Sequence, residues 1–256
     1  MIARSIEYRW DLVTALLAKE LRARYKRTFL GYAWSLLNPL AMACVFFVLV
    51  SRVFEVKLDK YPLLLVAGLF PWQWVANSIS TSTNIFVGNA SLIRRTSFPR
   101  GLLVVSASMN DLIHYLASVP VIVALMAWYG LYPEVRWLWL FPLLIVTQGA
   151  VVMGIAFIVA TCNVFVRDLE RIMSIAISLW FYVTPIIYTN DMLSMQGQKL
   201  LLLNPVAGVM IGWRSLYMGG PVNLIALASS MVWGALLLPA GYALFKRLHW
   251  RFAELV

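Results

Sequence analysis

Long apolar stretches separated by short charged segments make up most of this 256-residue chain. Charged residues are absent from the stretches 28–51, 61–93, 137–166, 172–190 and 215–245, and a sixth stretch, 101–133, carries only Asp111 and His114. A bilayer core about 30 Å thick needs roughly 20 apolar residues per helix, whereas a soluble amphipathic helix would show a polar stripe. The pattern therefore predicts an all-α, polytopic membrane protein. Its six transmembrane helices are expected at 29–50, 63–87, 102–128, 137–163, 172–189 and 222–245.

The first 28 residues have a different pattern. Apolar residues recur there at steps of three and four, at Ile6, Trp10, Val13, Leu17 and Leu21, which is the spacing of one helical face. A basic amphipathic helix with tryptophan on its apolar side lies in the membrane interface. We expect residues 1–28 to form such a cytoplasmic interface helix. It would either anchor the chain to anionic lipid or also contact a cytoplasmic partner.

Residues 191–220 are apolar but interrupted at Asn204-Pro205, and neither half is long enough to cross a bilayer. We expect a re-entrant helical hairpin on the external side, between the fifth and sixth spans. Irregular backbone at membrane depth is tolerated only where protein or water covers it, so this hairpin is a candidate lining of a transport pathway. A loop lying on the outer leaflet is the alternative.

The composition and the charge distribution agree with a membrane protein. Hydrophobic residues make up 62% of the chain and charged residues 12%. The net charge of +10 is read as an orientation signal rather than as a nucleic-acid footprint. With both termini cytoplasmic, fifteen of the 21 basic residues fall on the cytoplasmic side. The positive-inside rule therefore favours this orientation.

Few motifs of enzyme chemistry occur in the sequence. A GxxxxGK[ST] phosphate loop and an HExxH motif are both absent, and the two cysteines, Cys44 and Cys162, lie in predicted spans. We therefore expect no catalytic residues and no metal site. Asp111 and His114 lie three residues apart, on one helical face. They would serve either a proton relay or a structural hydrogen bond to a neighbouring span.

Five segments, in order along the whole chain, resemble the permease subunits of ABC exporters for cell-surface polysaccharide, a branch of the ABC-2 superfamily. They are residues 20–40 (ELRARYKRTFLGYAWSLLNPL), 92–101 (LIRRTSFPRG), 163–168 (NVFVRD), 179–188 (LWFYVTPIIY) and 203–205 (LNP). The similarity is greatest to the O-antigen permeases. It implies a homodimer in the bacterial inner membrane that binds two ABC ATPase subunits, with ATP and Mg²⁺ held by the ATPase. The substrate would be a lipid-linked polysaccharide.

The resemblance also implies roles for individual residues. Residues 89–101, the coupling loop, would dock on the ATPase through Leu92, Ile93, Arg94, Arg95, Phe98, Pro99 and Arg100. The simpler interpretation is that its arginines only hold the loop in the cytoplasm. The interface helix would contribute Glu20, Arg22, Arg24 and Tyr25. The candidates for lining the channel are Tyr32, Trp34, Asn38, Trp180, Phe181, Tyr182 and Tyr188, because aromatic rings stack on sugar C–H faces and polar edges bind hydroxyls.

Three functions remain open at this stage. The sequence favours a polysaccharide permease without enzymatic activity of its own. An ABC exporter of a lipid or small drug would share the same architecture. A proton-coupled secondary carrier would instead depend on Asp111 and need no nucleotide.

Overall fold

In a computed structural model of the chain, residues 11–12, 14–19, 31–53, 59–95 and 98–255 are described, and they contain helices but no strand. The helices are α1 (Trp34–Val48), α2 (Tyr61–Thr83), α3 (Ile85–Gly88), α4 (Ala90–Arg95), α5 (Gly101–Trp128), α6 (Trp137–Phe165), α7 (Leu169–Val183), α8 (Met195–Leu201), α9 (Ala207–Met218), α10 (Leu224–Leu248) and α11 (Phe252–Leu255). A π-helical turn, Leu49–Val53, continues α1, and 3-10 turns occupy Gly31–Ala33, Asn190–Met192 and His249–Arg251. Residues 11–12 and 14–19 are also helical.

Among the described residues, five helices are long and apolar enough to cross a membrane. They are Trp34–Arg52, Tyr61–Thr83, Gly101–Trp128, Trp137–Phe165 and Leu224–Arg251. The predicted class, an all-helical polytopic membrane protein, is therefore confirmed. The count of six spans is not confirmed.

The difference lies at the predicted span 172–189. There, α7 is only 15 residues long and ends at Val183, which gives about 22 Å of helix at 1.5 Å per residue. Pro185 follows closely, and a proline pushes the residue before it out of the helical region. Thr184 is extended accordingly, with ψ of 138°.

Helix α2 lies at the centre of the fold. It is the most buried of the five candidate spans, with 78% of the residues in its apolar stretch buried. It packs against α1, α5, α6, α7 and α9. One of its polar side chains bonds to a neighbouring helix: the Ser78 hydroxyl donates to the Asp111 carboxylate over 3.1 Å, whereas the Thr83 hydroxyl donates to the Ile79 carbonyl of its own helix over 2.7 Å. Because lipid could not supply a partner such as Asp111, the polar composition of α2 favours its central position.

Helices α6 and α10 form the closest pair of spans, and glycines make their approach possible. A β-carbon on Gly154 would lie 2.5 Å from the backbone carbonyl carbon of Leu237, and one on Gly241 would lie 2.3 Å from the Gly154 carbonyl oxygen. Small residues at membrane helix interfaces allow backbones to approach in this way. The packing of α10 therefore depends on the absence of a side chain at both positions.

The two helices of the predicted hairpin, α8 and α9, are joined through the Asn204-Pro205 segment. Helix α9 is nearly all buried and packs against α2, α6 and α10. Two hydrogen bonds in series hold α9 against α6 and α2. The Trp213 indole donates to the Gln148 side-chain oxygen over 2.7 Å, and the Gln148 amide donates to the Pro71 carbonyl over 2.9 Å. A buried contact of 2.6 Å also joins the hydroxyls of Tyr115 and Tyr217.

Arg214 of α9 holds the non-helical segment that follows α7. Its guanidinium donates to the backbone carbonyls of Pro185 (2.8 Å), Ile186 (3.1 Å) and Tyr188 (2.9 Å). The pKa of an arginine guanidinium lies far above neutral pH. The side chain remains protonated at neutral pH, and one cation therefore satisfies three carbonyls that no helix satisfies.

We expect Gly154→Ala to destabilise the protein by about 1–3 kcal/mol, the usual cost of overpacking. The added methyl group would meet the backbone of α10, which cannot rotate away. Thermal unfolding of the purified protein in detergent measures the effect. Gly88→Ala is the matched control, because a β-carbon there would meet nothing within 4 Å. Equal unfolding temperatures for the two variants would contradict the assigned helix contact.

We expect Arg214→Met to destabilise the protein by at least about 2 kcal/mol, since a hydrogen bond to a charged donor contributes about 1.5–3 kcal/mol. Arg214→Lys should recover only part of this loss, because one ammonium group cannot reproduce the fork of the guanidinium. Thermal unfolding again provides the measurement, with Lys199→Met as an exposed control on α8. The interpretation is wrong if the Arg214→Met and Lys199→Met proteins unfold at the same temperature.

Candidate functional site

A polar cavity of about 210 Å³ lies among α1, α2 and α5. Each helix contributes one face, with residues spaced three or four apart. The lining residues are Trp34, Ser35 and Asn38 of α1, Phe70, Gln73, Trp74 and Asn77 of α2, and Asp111, His114 and Tyr115 of α5. The wall therefore combines four aromatic rings with a carboxylate, an imidazole, three carboxamides and a hydroxyl.

The inner wall of the cavity is well ordered by packing. Asp111 is only 2% exposed and accepts the hydrogen bond from Ser78. Trp74 and Tyr115 are also buried, and their rings stack with centroids 5.7 Å apart at an interplanar angle of 16°. Asp111 lies ten residues into α5, about 15 Å from its first residue. A carboxylate at this depth is expensive in lipid and is a mark of function in membrane proteins.

The mouth of the cavity is on α1. Trp34 is 52% exposed and Asn38 is also exposed. The structure thus brings two predicted channel residues together with Asp111 and His114, which the sequence placed on a separate helix. The sequence analysis missed Gln73, although Phe70, Gln73, Trp74 and Asn77 follow the spacing i, i+3, i+4, i+7 of one helical face.

The other predicted channel residues lie around the end of α7. Phe181 is buried and stacks on Phe46 of α1, with ring centroids 5.8 Å apart. The Trp180 indole donates to the Asn204 side-chain oxygen over 2.9 Å. Tyr182 is 60% exposed, whereas the Tyr188 hydroxyl donates to a backbone carbonyl of α7. The side chain of Tyr32 lies outside the described part of the chain.

The coupling loop contains α4 and the turn that leads into α5. Ile93 is buried, Leu92 and Phe98 are half-buried, and Pro99 is exposed. The side chain of Arg94 is exposed too, while that of Arg95 lies outside the described residues. The loop therefore has an apolar inner side and a partly basic outer side.

The inner side of the coupling loop packs on the C-terminal segment, a contact that the sequence analysis missed. Phe252 is fully buried, and its ring lies 4.7 Å from that of Phe86. Ile93 belongs to the same apolar cluster, and Arg100 donates to the His249 backbone carbonyl. A phenylalanine four residues from the end of a basic tail was the available signal.

The N-terminal segment packs on the same cluster. Leu16 is 7% exposed and lies within it, and the Lys19 ammonium donates to the Asn89 side-chain oxygen over 2.9 Å. The predicted interface-helix residues Glu20, Arg22, Arg24 and Tyr25 lie outside the described residues. The parts of the two predicted ATPase-facing elements that the structure describes are in direct contact.

Comparison with known proteins assigns the family. The profile of the ABC-2 type transporter family matches residues 11–218. The chain is 38% identical over 252 residues to an O-antigen export system permease protein RfbA from Klebsiella pneumoniae, covering 98% of this chain and 97% of that relative. It is 28% identical to the RfbA protein of Myxococcus xanthus, with 99% and 98% coverage, and 24% identical to the polysialic acid transport protein KpsM of Escherichia coli, with 82% and 83% coverage. With its apolar helices and this near full-length similarity, the chain belongs to the ABC-2 type transporter family and is a membrane-spanning transport component.

Proposed function

We propose that this chain is the permease subunit of an ATP-driven exporter of lipid-linked, O-antigen-like polysaccharide. The polymer would move from the cytoplasmic side across the bacterial inner membrane. The near full-length similarity to RfbA proteins, which are named for O-antigen export, carries this proposal. KpsM, a relative named for polysialic acid transport, supports polysaccharide as the substrate class.

The energy would come from a separate ABC ATPase, which binds ATP and Mg²⁺. The sequence has no phosphate-binding loop of its own. Two ATPase copies would bind a homodimer of this chain, each at a coupling loop. The exposed Arg94 and Pro99 on the outer side of the loop support this docking role.

The topology proposed here has six crossings, cytoplasmic termini and an external hairpin formed by α8 and α9. The fifth crossing would combine α7 with residues 184–189. Arg214 supports this assignment, because its bonds to the carbonyls of that segment meet the requirement for non-helical backbone at membrane depth. The excess of basic residues in the segments assigned to the cytoplasm supports the orientation.

A displacement of the coupling loop would be transmitted to the channel through the residues on which the loop packs. The loop shares one apolar cluster with Leu12, Leu16 and Phe252, so a displacement of α4 would move the interface helix and the end of α10 together. The channel would lie between two copies of the chain, lined by α1 and α7. Only 11% of the residues in the apolar stretch of α1 are buried within one copy, which leaves the surface of α1 available to a second copy of the chain.

Deletion of this chain from its native bacterium should abolish surface polysaccharide while lipid-linked polymer accumulates inside the cell. Carbohydrate staining of the outer surface and of the membrane lipid fraction measures both. Expression of the intact chain in the deletion strain should restore the surface polymer. Unchanged surface polysaccharide in the deletion strain would overturn the proposed function. An exporter of lipid or a small drug would give that outcome.

The double variant Arg94→Glu, Arg95→Glu should lower co-purification of the ATPase by about tenfold or more, because reversed charges at a docking surface oppose association. Surface polysaccharide should fall with it. Arg171→Glu, at an exposed position in the first turn of α7, is the matched control for charge.

Immunoblots should show equal amounts of membrane-inserted protein for the double variant and the original chain. Intact ATPase association in the double variant would show that the arginines act only to hold the loop in the cytoplasm. Loss of association in the Arg171→Glu control as well would show that the effect is not specific to the coupling loop.

A further inference from the structure

We infer that the cavity among α1, α2 and α5 is a binding subsite for a single sugar residue of the polymer in transit. This inference rests on the proposed function and adds to it a defined contact within each copy of the permease. The subsite would hold one neutral, hydroxyl-bearing ring through the side chains at its wall.

The polar groups of the wall match the hydroxyl groups of a sugar. The Asp111 side chain supplies carboxyl oxygens that accept hydrogen bonds, and the carboxamides of Asn38, Gln73 and Asn77 both donate and accept. A sugar hydroxyl also donates and accepts, so such a mixed set can bind it from several directions.

The aromatic groups match the apolar C–H face of a sugar ring. Trp34 at the mouth is 52% exposed, so much of its surface is available to a ligand. Trp74 and Tyr115 stack on one another at the inner wall, which fixes their positions. A ring entering from α1 would therefore meet an exposed indole first and the carboxylate beyond it.

The same wall disfavours other occupants. A lipid tail would bring no hydrogen-bonding group to the carboxamides of Asn38, Gln73 and Asn77 and would remove them from water. A phosphate or another anion would find no lysine or arginine in this wall. A proton alone would not need the three carboxamides. The volume of about 210 Å³ falls below the roughly 300 Å³ at which drug-sized pockets begin, so it suits a single ring better than a drug-sized ligand.

Photocrosslinking in the native bacterium tests the inference directly. Benzoyl-phenylalanine is incorporated in place of Trp34, the cells are irradiated, and the permease is isolated under denaturing conditions. Periodate-based carbohydrate staining should reveal polymer attached to the chain. Benzoyl-phenylalanine in place of Trp139 is the matched control, because Trp139 is 51% exposed but lies on α6, away from the cavity.

The outcomes separate the inference from the proposed function. Carbohydrate at position 34 that Asp111→Asn reduces, with little at position 139, supports the subsite. Labelling at position 34 that Asp111→Asn leaves unchanged overturns it, because α1 would then only line the channel. Surface export with no carbohydrate at position 34, or with equal labelling at both positions, overturns the subsite and leaves the proposed function standing. Normal surface polysaccharide in a strain lacking this chain overturns both.

Substitutions in the wall provide a second test. Trp34→Ala should reduce the amount of surface polysaccharide by about tenfold, the change in affinity that one good contact contributes. Trp34→Phe should restore most of the export. Asp111→Asn, combined with the crosslinker at position 34, should reduce labelling to a similar degree at unchanged thermal stability. Trp139→Ala is the control for loss of an exposed indole. Export by Trp34→Ala equal to that by Trp139→Ala would contradict the subsite.

Discussion

The requirement that polar groups be satisfied inside the protein at membrane depth determines the position of α2, and much of the fold follows from it. Among the five candidate spans, α2 has the lowest mean hydropathy, 1.2, and the largest share of buried residues. In lipid, its carboxamides would lack partners, at a cost of several kcal/mol for each unsatisfied polar group. Surrounded by α1, α5, α6, α7 and α9, Ser78 instead bonds to Asp111, and Gln73 and Asn77 line a cavity. The more apolar α6, with mean hydropathy 2.4, needs no such central position.

The same requirement explains why a cation is buried in α9. The chain leaves helical geometry at Thr184 because of Pro185, and the carbonyls that follow lose their intrahelical donors. A lysine could reach one or two of these oxygens, but only the fork of Arg214 bonds to three. The Asn204 carboxamide ties the same region to α7 through Thr184 and Trp180. The hairpin and the segment after α7 therefore form one structural unit, although 18 residues of sequence separate Thr184 from Leu203.

How much could be read from the sequence depended on whether a property is local. Membrane class and helical content follow from the length of charge-free stretches, and both are confirmed. The end of α7 at Val183 was also a local signal, since Pro185 stands in the sequence, but the apolar run 172–189 was given more weight. The rotation of each helix is not local. Asp111 and His114 were placed on one face of α5, yet nothing in α5 alone indicates that Gln73 and Asn77 lie opposite. Likewise, Phe252 packs on Phe86 across 166 residues, and only the tertiary structure brings them together.

The cavity and the hairpin are not independent, because Tyr115 belongs to both. Its ring lines the cavity and stacks on Trp74, while its hydroxyl lies 2.6 Å from that of Tyr217 on α9. Trp213, one turn earlier on α9, meets the edge of the same ring. Protein interiors are close-packed, so a displaced ring must displace its neighbours. A sugar residue that shifts the Trp74–Tyr115 pair would therefore act on α9, and through Arg214 on the segment after α7. The subsite would therefore couple the position of the polymer to the external hairpin of the proposed topology.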